Sequence, residues 1–506
     1  MKVTSASHLL RVVSDFAAAS PHSAAVAARD GTLSYRELSA AAARAAESLS
    51  RLGVGPGDTV VTMAERSWHS LAAILGIWKV RAAYAPVHPD TPADRLSRLS
   101  RLIRPRLLLS NPGNVTGSHE MPVVDVEDLF TTQARTDWSS PRLDLADPAY
   151  VIFTSGSTGT PKAVQISHKN LASYCWALQS YLRPPSAADW GSVSPLWTDL
   201  GHTAIFGALG SGGCVHLVDE DTYTSAARFS RYCGSLDYVK ITPTHLWALV
   251  GDCYPGGLPR RGIILGGEQC PPHLVATLQA MAPSLEIYNH YGPTECTVGA
   301  AAYRIPSEPI SVSSPIPIGR ALPGVRITVR DDAGREIINS DIGELWIGGD
   351  IVGRYIGSPD GSGFAYSATH SEPEYRTGDC GFRDVNGNLV LVGRRDRQLK
   401  IRGHRIEPAE VEATLSLLPG VLRVVVFSSV DADGTVALSA AVVSDPTSEV
   451  TASKIQQFAS KHLPEFMIPR RLAFLASLPY QENGKLDERL LMSHVEGVSN
   501  EHAQYR

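Results

Sequence analysis

The stretch Ala149-Tyr150-Val151-Ile152-Phe153-Thr154-Ser155-Gly156-Ser157-Thr158-Gly159-Thr160-Pro161-Lys162 decides how this chain is read. Its apolar start predicts a buried strand. The run from Thr154 to Lys162 is built of small, hydroxyl-bearing and glycine residues and ends on a cation. Glycines let the main chain approach a ligand closely, and hydroxyl and amide groups supply the donors that phosphate oxygens need. A helix is predicted from near Ser167, so the order reads strand, phosphate-wrapping loop, helix. The spacing G-x-x-x-x-G-K-[ST] is absent, which excludes a Walker-type loop.

Composition narrows the classes open to the chain. At 506 residues it is too long for one typical domain. With 43% hydrophobic and 19% charged residues it has the balance of a soluble globular protein. A net charge of −5 gives no footprint for nucleic acid or an anionic membrane. Seven cysteines, with no C-x-x-C pair, favour reduced thiols in a cytoplasmic enzyme over a disulfide framework or a zinc site. Arg11 and Asp15 interrupt the first 20 residues, so no signal-peptide core is expected. No apolar run reaches the about 20 residues of a membrane span.

Ser34-Tyr35-Arg36-Glu37 reads as a capping box that opens an alanine-rich helix ended by Gly53. A buried strand is predicted over Thr59 to Met63 and a helix over Ser67 to Val80. This alternation continues to about residue 300 and argues for parallel sheets flanked by helices. From about Ile316 the period changes to two, as in Val325 to Arg330, which predicts a small β-rich subdomain. Residues 397 to about 490 hold both helical and strand patterns, and residues 491 to 506 are polar.

The loop TSGSTGTPK resembles the phosphate loop of the adenylate-forming enzymes, the superfamily of acyl-CoA ligases, firefly-type luciferases and peptide-synthetase adenylation domains. The likeness extends along nearly the whole chain in order. Leu33-Ser34-Tyr35-Arg36-Glu37-Leu38 and Ala83-Tyr84-Ala85-Pro86-Val87 resemble the first two family motifs. Tyr291-Gly292-Pro293-Thr294-Glu295, Gly343-Glu344-Leu345 with Ile347-Gly348-Gly349, and Tyr375-Arg376-Thr377-Gly378-Asp379 resemble the fifth, sixth and seventh. The run from Gly393 to Gly403 and Asn483-Gly484-Lys485-Leu486-Asp487 complete the series. The resemblance implies an α/β fold. A large N-terminal domain, residues 1–395, would hold two parallel-sheet α/β subdomains and a small β-barrel-like subdomain. A small α+β C-terminal domain, residues 396–490, would follow a hinge at Asp396, with residues 491–506 as a tail.

The same resemblance implies roles. Thr154, Ser155, Gly156, Ser157, Thr158, Gly159 and Lys162 would cradle the phosphates of ATP. Tyr291 would stack on adenine, with Gly266, Gly267, Glu268, Asn289, His290 and Gly292 around the base. Asp379 would accept the ribose hydroxyls, as a carboxylate can, with Arg394 an additional ribose or phosphate contact. Thr294 would touch the α-phosphate, and Glu295 would help hold Mg²⁺, which favours carboxylate and phosphate oxygens. Lys485 would stabilise negative charge as one anion attacks another. That barrier is electrostatic, and the attacking carboxylate is already ionised, so no general base is needed.

For the acyl substrate, Asp199 matches the aspartate that pairs with the α-ammonium group in amino-acid-activating members. Motif alignment adds Leu200, Thr203, Lys240, Ile264, Gly266, His290, Val298, Gly299 and Lys485. Lys240 stands in the apolar strand pattern Tyr238-Val239-Lys240-Ile241, where an unpaired ammonium is costly. A protein salt bridge or snorkelling would account for it. The sharper reading is that the substrate brings the carboxylate, held by Lys240 and His290. The pocket set closely resembles that of aspartate-activating adenylation domains, which implies L-aspartate or an analogue such as 3-methylaspartate.

Ala163 replaces the glycine usual after the loop lysine, and Asp350 to Tyr375 is short for the family. Only 21 residues follow Lys485, so a free-standing enzyme is expected, with a phosphopantetheinyl carrier protein acting in trans. Which carboxylate is activated, and whether a small MbtH-like activator protein is needed, stay open at this level. The rivals are an acyl-CoA ligase for a non-amino acid and a non-catalytic ATP-binding protein.

Overall fold

The computed structural model describes residues 8–63, 65–111, 121–131, 141–155, 161–250, 257–308, 310, 314–338, 340–357, 363–367, 369–430, 436–479 and 491. The chain divides into two compact units. One comprises Met1–Pro89, Ser100–Phe153 and Ala163–Arg395; the other comprises Asp90–Leu99, Thr154–Lys162 and Asp396–Arg506.

Helix signals act where the sequence places them. Ser34 caps the helix Tyr35–Arg51 through the Glu37 N–H, and Glu37 returns a carboxylate oxygen to the Ser34 N–H at 2.8 Å. Gly53 follows the helix end at φ +78°, the left-handed geometry that glycine adopts without strain. The helix Trp68–Lys79 starts after its cap Ser67. The alanine stripe has a packing reason: a Cβ on Gly76 would lie 2.7 Å from the Ala45 Cβ, so the two helices meet on small residues.

The first unit holds three sheets. In the seven-stranded sheet, Pro148–Thr154, Ala83–Pro86, Thr59–Met63, Leu107–Ser110 and Val123–Asp125 run parallel. In the nine-stranded sheet the order is Arg320–Ala321, Ala301–Arg304, Glu286–Tyr291, Gly262–Gly266, Tyr238–Ile241, Asp189–Ser192, Cys214–Leu217, Ala24–Ala28 and Gly31–Ser34. Its six central strands are parallel and both edges are antiparallel. The third sheet is five-stranded and antiparallel, spanning Arg326 to Arg394. The second unit is α+β: Val421–Val430, Val436–Ser444 and Arg471–Phe474 form a sheet, with helices Pro408–Leu415 and Ala452–His462.

One expectation needs correction. The run after Thr154 does not lead straight into a helix. The strand Lys162–Ser167 intervenes, and the helix His168–Leu182 starts only after it, capped by Ser167. Lys162-Ala163-Val164-Gln165-Ile166-Ser167 buries Ala163, Val164 and Ile166 in the sheet, and that burial makes it a strand. Thr154 and Lys162, on either side of residues 156–160, therefore both belong to strands, and the helix begins where expected, after Ser167.

The nine-stranded sheet reverses its winding at one place. From Asp189–Ser192 the chain moves to Cys214–Leu217 on one side, then crosses to Tyr238–Ile241 on the other. The carboxyl ends of strands at such a reversal form a crevice suited to ligands. Lys240 is paired with Ser192 across it, and the segment after Ser192 leads to Asp199.

Candidate active site at the strand reversal

Register builds the floor of the crevice. Lys240 lies beside Ile264, and Gly266 lies beside His290. Lys240 is 1% exposed, and its Nζ sits 3.2 Å from His290 Nδ1. Burial pushes the Lys240 ammonium down to about 7, against the opposing attraction of Asp199. Burial, then the charge of Lys240, hold His290 well below its usual value, so its imidazole is neutral. A charged Lys240 can only donate, so Nδ1 accepts and the imidazole proton stands on Nε2. That Nε2 is buried and has no hydrogen-bond partner among the described residues.

Two glycines make room for this pair. A Cβ on Gly266 would lie 2.2 Å from Lys240 Nζ, and one on Gly299 would lie 2.0 Å from His290 Nε2. Gly299 reaches that position because Thr297 and Val298 both adopt left-handed backbone, φ +51° and +71°. For a β-branched residue this is a strained conformation, kept here by the packing of the segment; the Thr297 hydroxyl donates to Ile351 O at 2.6 Å.

Asp199 opens the short helical turn Asp199–Gly201. Thr294 lies close enough to its carboxylate to lower its pKa, while its Oδ2 is buried without a partner among the described residues. Burial raises its carboxyl to about 6; Thr294 and the Lys240 charge oppose that rise, and Glu295 adds to it. Leu200 lies against Gly267, whose added Cβ would be 3.4 Å from a Leu200 methyl. Asp199, Leu200, Thr294, Glu295, Lys240, Ile264, Gly266, His290 and Gly299 are thus brought around one crevice.

Glu295 is wholly buried, and one carboxylate oxygen accepts from Tyr355 at 2.7 Å. A carboxylate fixed in this way suits a hard cation such as Mg²⁺. Further along the same unit, the Tyr291 hydroxyl donates to Asp379 Oδ2 at 2.6 Å, and Arg394 pairs with Asp379 Oδ1. Asn289 donates its amide to Pro317 O at 2.8 Å, and Glu268 accepts the Thr244 N–H at 3.0 Å. Gly267, between the strand end Gly266 and Glu268, takes φ +84°.

In the second unit Thr154 and Ser155 are buried, Lys162 begins its strand, and Asp396 Oδ1 accepts the Gln398 N–H at 3.3 Å. Gly156, Ser157, Thr158, Gly159 and Lys485 lie outside the described residues.

Sequence reading missed two tyrosines. Tyr355 meets Glu295 from a strand far along the chain. Tyr174, on the helix His168–Leu182, is wholly buried with its hydroxyl 2.9 Å from Thr203 Oγ1. An aromatic on a helix face carries no signal distinguishing packing from a polar role.

Among the described residues one other cluster has ligand-like atoms: Asp189, Cys214 and His216. Its imidazole nitrogens are spent on Tyr232 at 2.9 Å and Asp189 at 3.1 Å, and Arg260 takes the second Asp189 oxygen. Burial pushes the Cys214 thiol up to about 12, away from the thiolate a metal requires. The six described cysteines are free, and no helix among the described residues is long and apolar enough to cross a membrane.

Comparison with known proteins assigns the family. Residues 13–355 match the AMP-binding enzyme family, and residues 410–485 match the AMP-binding enzyme C-terminal domain. The chain is 31% identical over 488 residues to surfactin synthase subunit 1 of Bacillus subtilis (strain 168), covering 94% of this chain but 14% of that protein. The fold is shared with NpsA-ThdA, an artificially fused adenylation–PCP di-domain NRPS from Klebsiella oxytoca. The TM-score is 0.82 at 24% identity, covering 93% of this chain and 94% of that one. Holo-PA1221, an NRPS protein containing adenylation and PCP domains, aligns with a TM-score of 0.84 at 26% identity over 97% of this chain and 85% of its own. With its N-terminal and C-terminal parts both matched in order, the chain belongs to the AMP-binding enzyme family.

Proposed function

We propose that this protein uses ATP to activate L-aspartate, or a close analogue such as 3-methylaspartate, as the aminoacyl-adenylate. It then transfers the acyl group to the phosphopantetheine thiol of a carrier protein. One observation carries the substrate reading: two opposed, unsatisfied poles in a single buried crevice. Asp199 Oδ2 is an acceptor with no donor, which suits an ammonium group. Lys240 makes no ion pair with a carboxylate among the described residues, although the charge of Asp199 reaches it, and His290 Nε2 has no partner there; both suit a side-chain carboxylate. Burying such groups is costly unless a ligand completes them.

The α-carboxylate is the one activated in this reading. Thr294 already lies beside Asp199, the ammonium anchor, and would also touch the α-phosphate. The carboxylate beside the amine is then at the nucleotide end, and the side chain points to Lys240. An α-carboxylate oxygen attacks the α-phosphorus of ATP, the bond to the β-phosphate oxygen breaks, and pyrophosphate leaves. Mg²⁺, held in part by Glu295, would neutralise charge on the phosphates. Tyr291 and Asp379 would hold adenine and ribose, with Gly266, Gly267, Glu268, Asn289 and Gly292 lining the base and Arg394 on the ribose or phosphates. Thr154 to Gly159 and Lys162 would hold the phosphates, and Lys485 would stabilise the attacking anion. The thiol step would involve a hinge at Asp396. Asp396→Pro is expected to spare pyrophosphate exchange while cutting thioester formation at least tenfold, and equal loss of both would exclude the hinge.

The direct test is ATP–pyrophosphate exchange across the amino acids, with 3-methylaspartate and benzoate included. Aspartate or its 3-methyl analogue should dominate. Asparagine should fall about tenfold to a hundredfold lower, since it leaves Lys240 without a counter-ion. Exchange driven by benzoate, or equally by asparagine, overturns the reading.

A further inference from the structure

A further hydroxyl pair lies beside the crevice, within reach of Asp199 and with one ring beside His290. Tyr174 and Thr203 each carry a hydroxyl hydrogen, and their single contact of 2.9 Å uses only one of the two. Whichever hydroxyl donates, the other hydrogen is left over. It is left over in a dry place, because both residues are wholly buried. The Tyr174 ring stands beside that of His290, with centroids 6.1 Å apart. Thr203 lies one turn after Asp199, and the charge of Asp199 reaches the Tyr174 hydroxyl. Helix packing alone needs only the ring; a phenylalanine would fill the same volume without bringing an uncommitted polar hydrogen to the crevice.

We propose that Tyr174 is a specificity-determining residue, whose hydroxyl pair with Thr203 presents its spare hydrogen to the side-chain carboxylate of the substrate, beside His290. This rests on the acidic-substrate reading given above. The crevice then offers donors from four elements: Lys240 and His290 from two strands that flank Gly262–Gly266, and the Tyr174–Thr203 pair from two helices. A carboxylate has lone pairs enough to accept from all of them. A hydrogen bond to an ionised acceptor is roughly twice as strong as one to a neutral acceptor, so the effect is larger for aspartate than for asparagine.

The experiment is Tyr174→Phe, assayed by pyrophosphate exchange with aspartate, asparagine and varied ATP. The KM for aspartate should rise about tenfold, the KM for ATP should hold, and the preference for aspartate over asparagine should fall at least threefold. Because Tyr174 acts with Thr203, the double variant with Thr203→Val should be no worse than about twofold below Thr203→Val alone. A purely structural tyrosine would instead raise both KM values together, or add its cost fully to that of Thr203→Val. Either result overturns the proposal, as does an unchanged KM for aspartate. If the unmodified enzyme gives no aspartate-dependent exchange, the acidic-substrate reading fails and this inference fails with it. If the unmodified enzyme exchanges well and Tyr174→Phe matches it, only the role of Tyr174 is lost.

Discussion

Replacing Lys240 by methionine is expected to lower kcat/KM for aspartate by more than a hundredfold while leaving the fold as stable as before, or more so. The two effects have one cause. Lys240 is buried at 1% exposure with a neutral imidazole as its close partner. Leaving a substrate carboxylate buried without its cation costs about 3 kcal/mol, which at about 1.4 kcal/mol per decade exceeds a hundredfold. A buried cation, by contrast, adds little to folding, and an apolar side chain of similar length is often neutral or stabilising there. The pH dependence follows from sign. The folded ammonium titrates at about 7, below its ordinary value, so the unfolded chain binds the extra proton between there and about 10.4. The penalty is full below pH 7 and fades as pH rises towards 10.4, and the melting-temperature gain of Lys240→Met should shrink over that range. Activity should show the same group. In the unmodified enzyme kcat/KM for aspartate should fall above about pH 7 as Lys240 loses its proton, and below about pH 6 as Asp199 gains one. Lys240→Met should erase the alkaline limb alone. A variant that loses activity and stability together, with both limbs intact, would make Lys240 a structural cation.

How much of this was legible beforehand depends on where each residue's partners lie. Caps are local, so Ser34, Ser67 and Ser167 marked their helices within one turn. Strand Tyr238–Ile241 was legible because a lysine among apolar residues is itself an anomaly. The helix after Ser167 was read correctly, but the strand before it was missed: glycine-rich composition suggested a loop feeding the helix, and Lys162–Ser167 is completed on one side by Arg354–Tyr355, distant in sequence. The pairing of Lys240 with His290 spans 50 residues, and that of Tyr355 with Glu295 spans 60. Motif resemblance could nominate Lys240 and His290, but only the folded sheet, in which their strands flank Gly262–Gly266, shows that one points its ammonium at the other. Tyr174 was silent for a related reason. Its helix buries it like any core aromatic, and its polar role depends on one hydroxyl of another helix.

Asp199→Asn is expected to cost several hundredfold in kcat/KM for aspartate, and the loss should vanish for an acid without an amine. Asn is nearly the same size and keeps a carbonyl oxygen beside Thr294. What changes is the second atom. The buried Oδ2 that now lacks a donor becomes an NH₂, which points hydrogens at the substrate ammonium in place of a charge. Removing a charge-assisted bond and opposing two donors in a dry site costs about 3 to 4 kcal/mol. The amide does not ionise, so the acidic limb near pH 6 should disappear while the alkaline limb remains, the mirror image of Lys240→Met. Stability should hold or rise. The folded carboxyl titrates at about 6, above its ordinary value, so its stabilising effect is present below pH 3.8 and lost as pH rises to about 6. At neutral pH the native state therefore carries a strained anion that Asn relieves. Succinate separates the two explanations of a lost rate. It keeps both carboxylates and lacks the amine, so its weak exchange should be nearly equal in the two enzymes. If succinate falls as far as aspartate, Asp199 organises Thr294 and the nucleotide end of the crevice; if aspartate alone falls, Asp199 is the anchor of the amine.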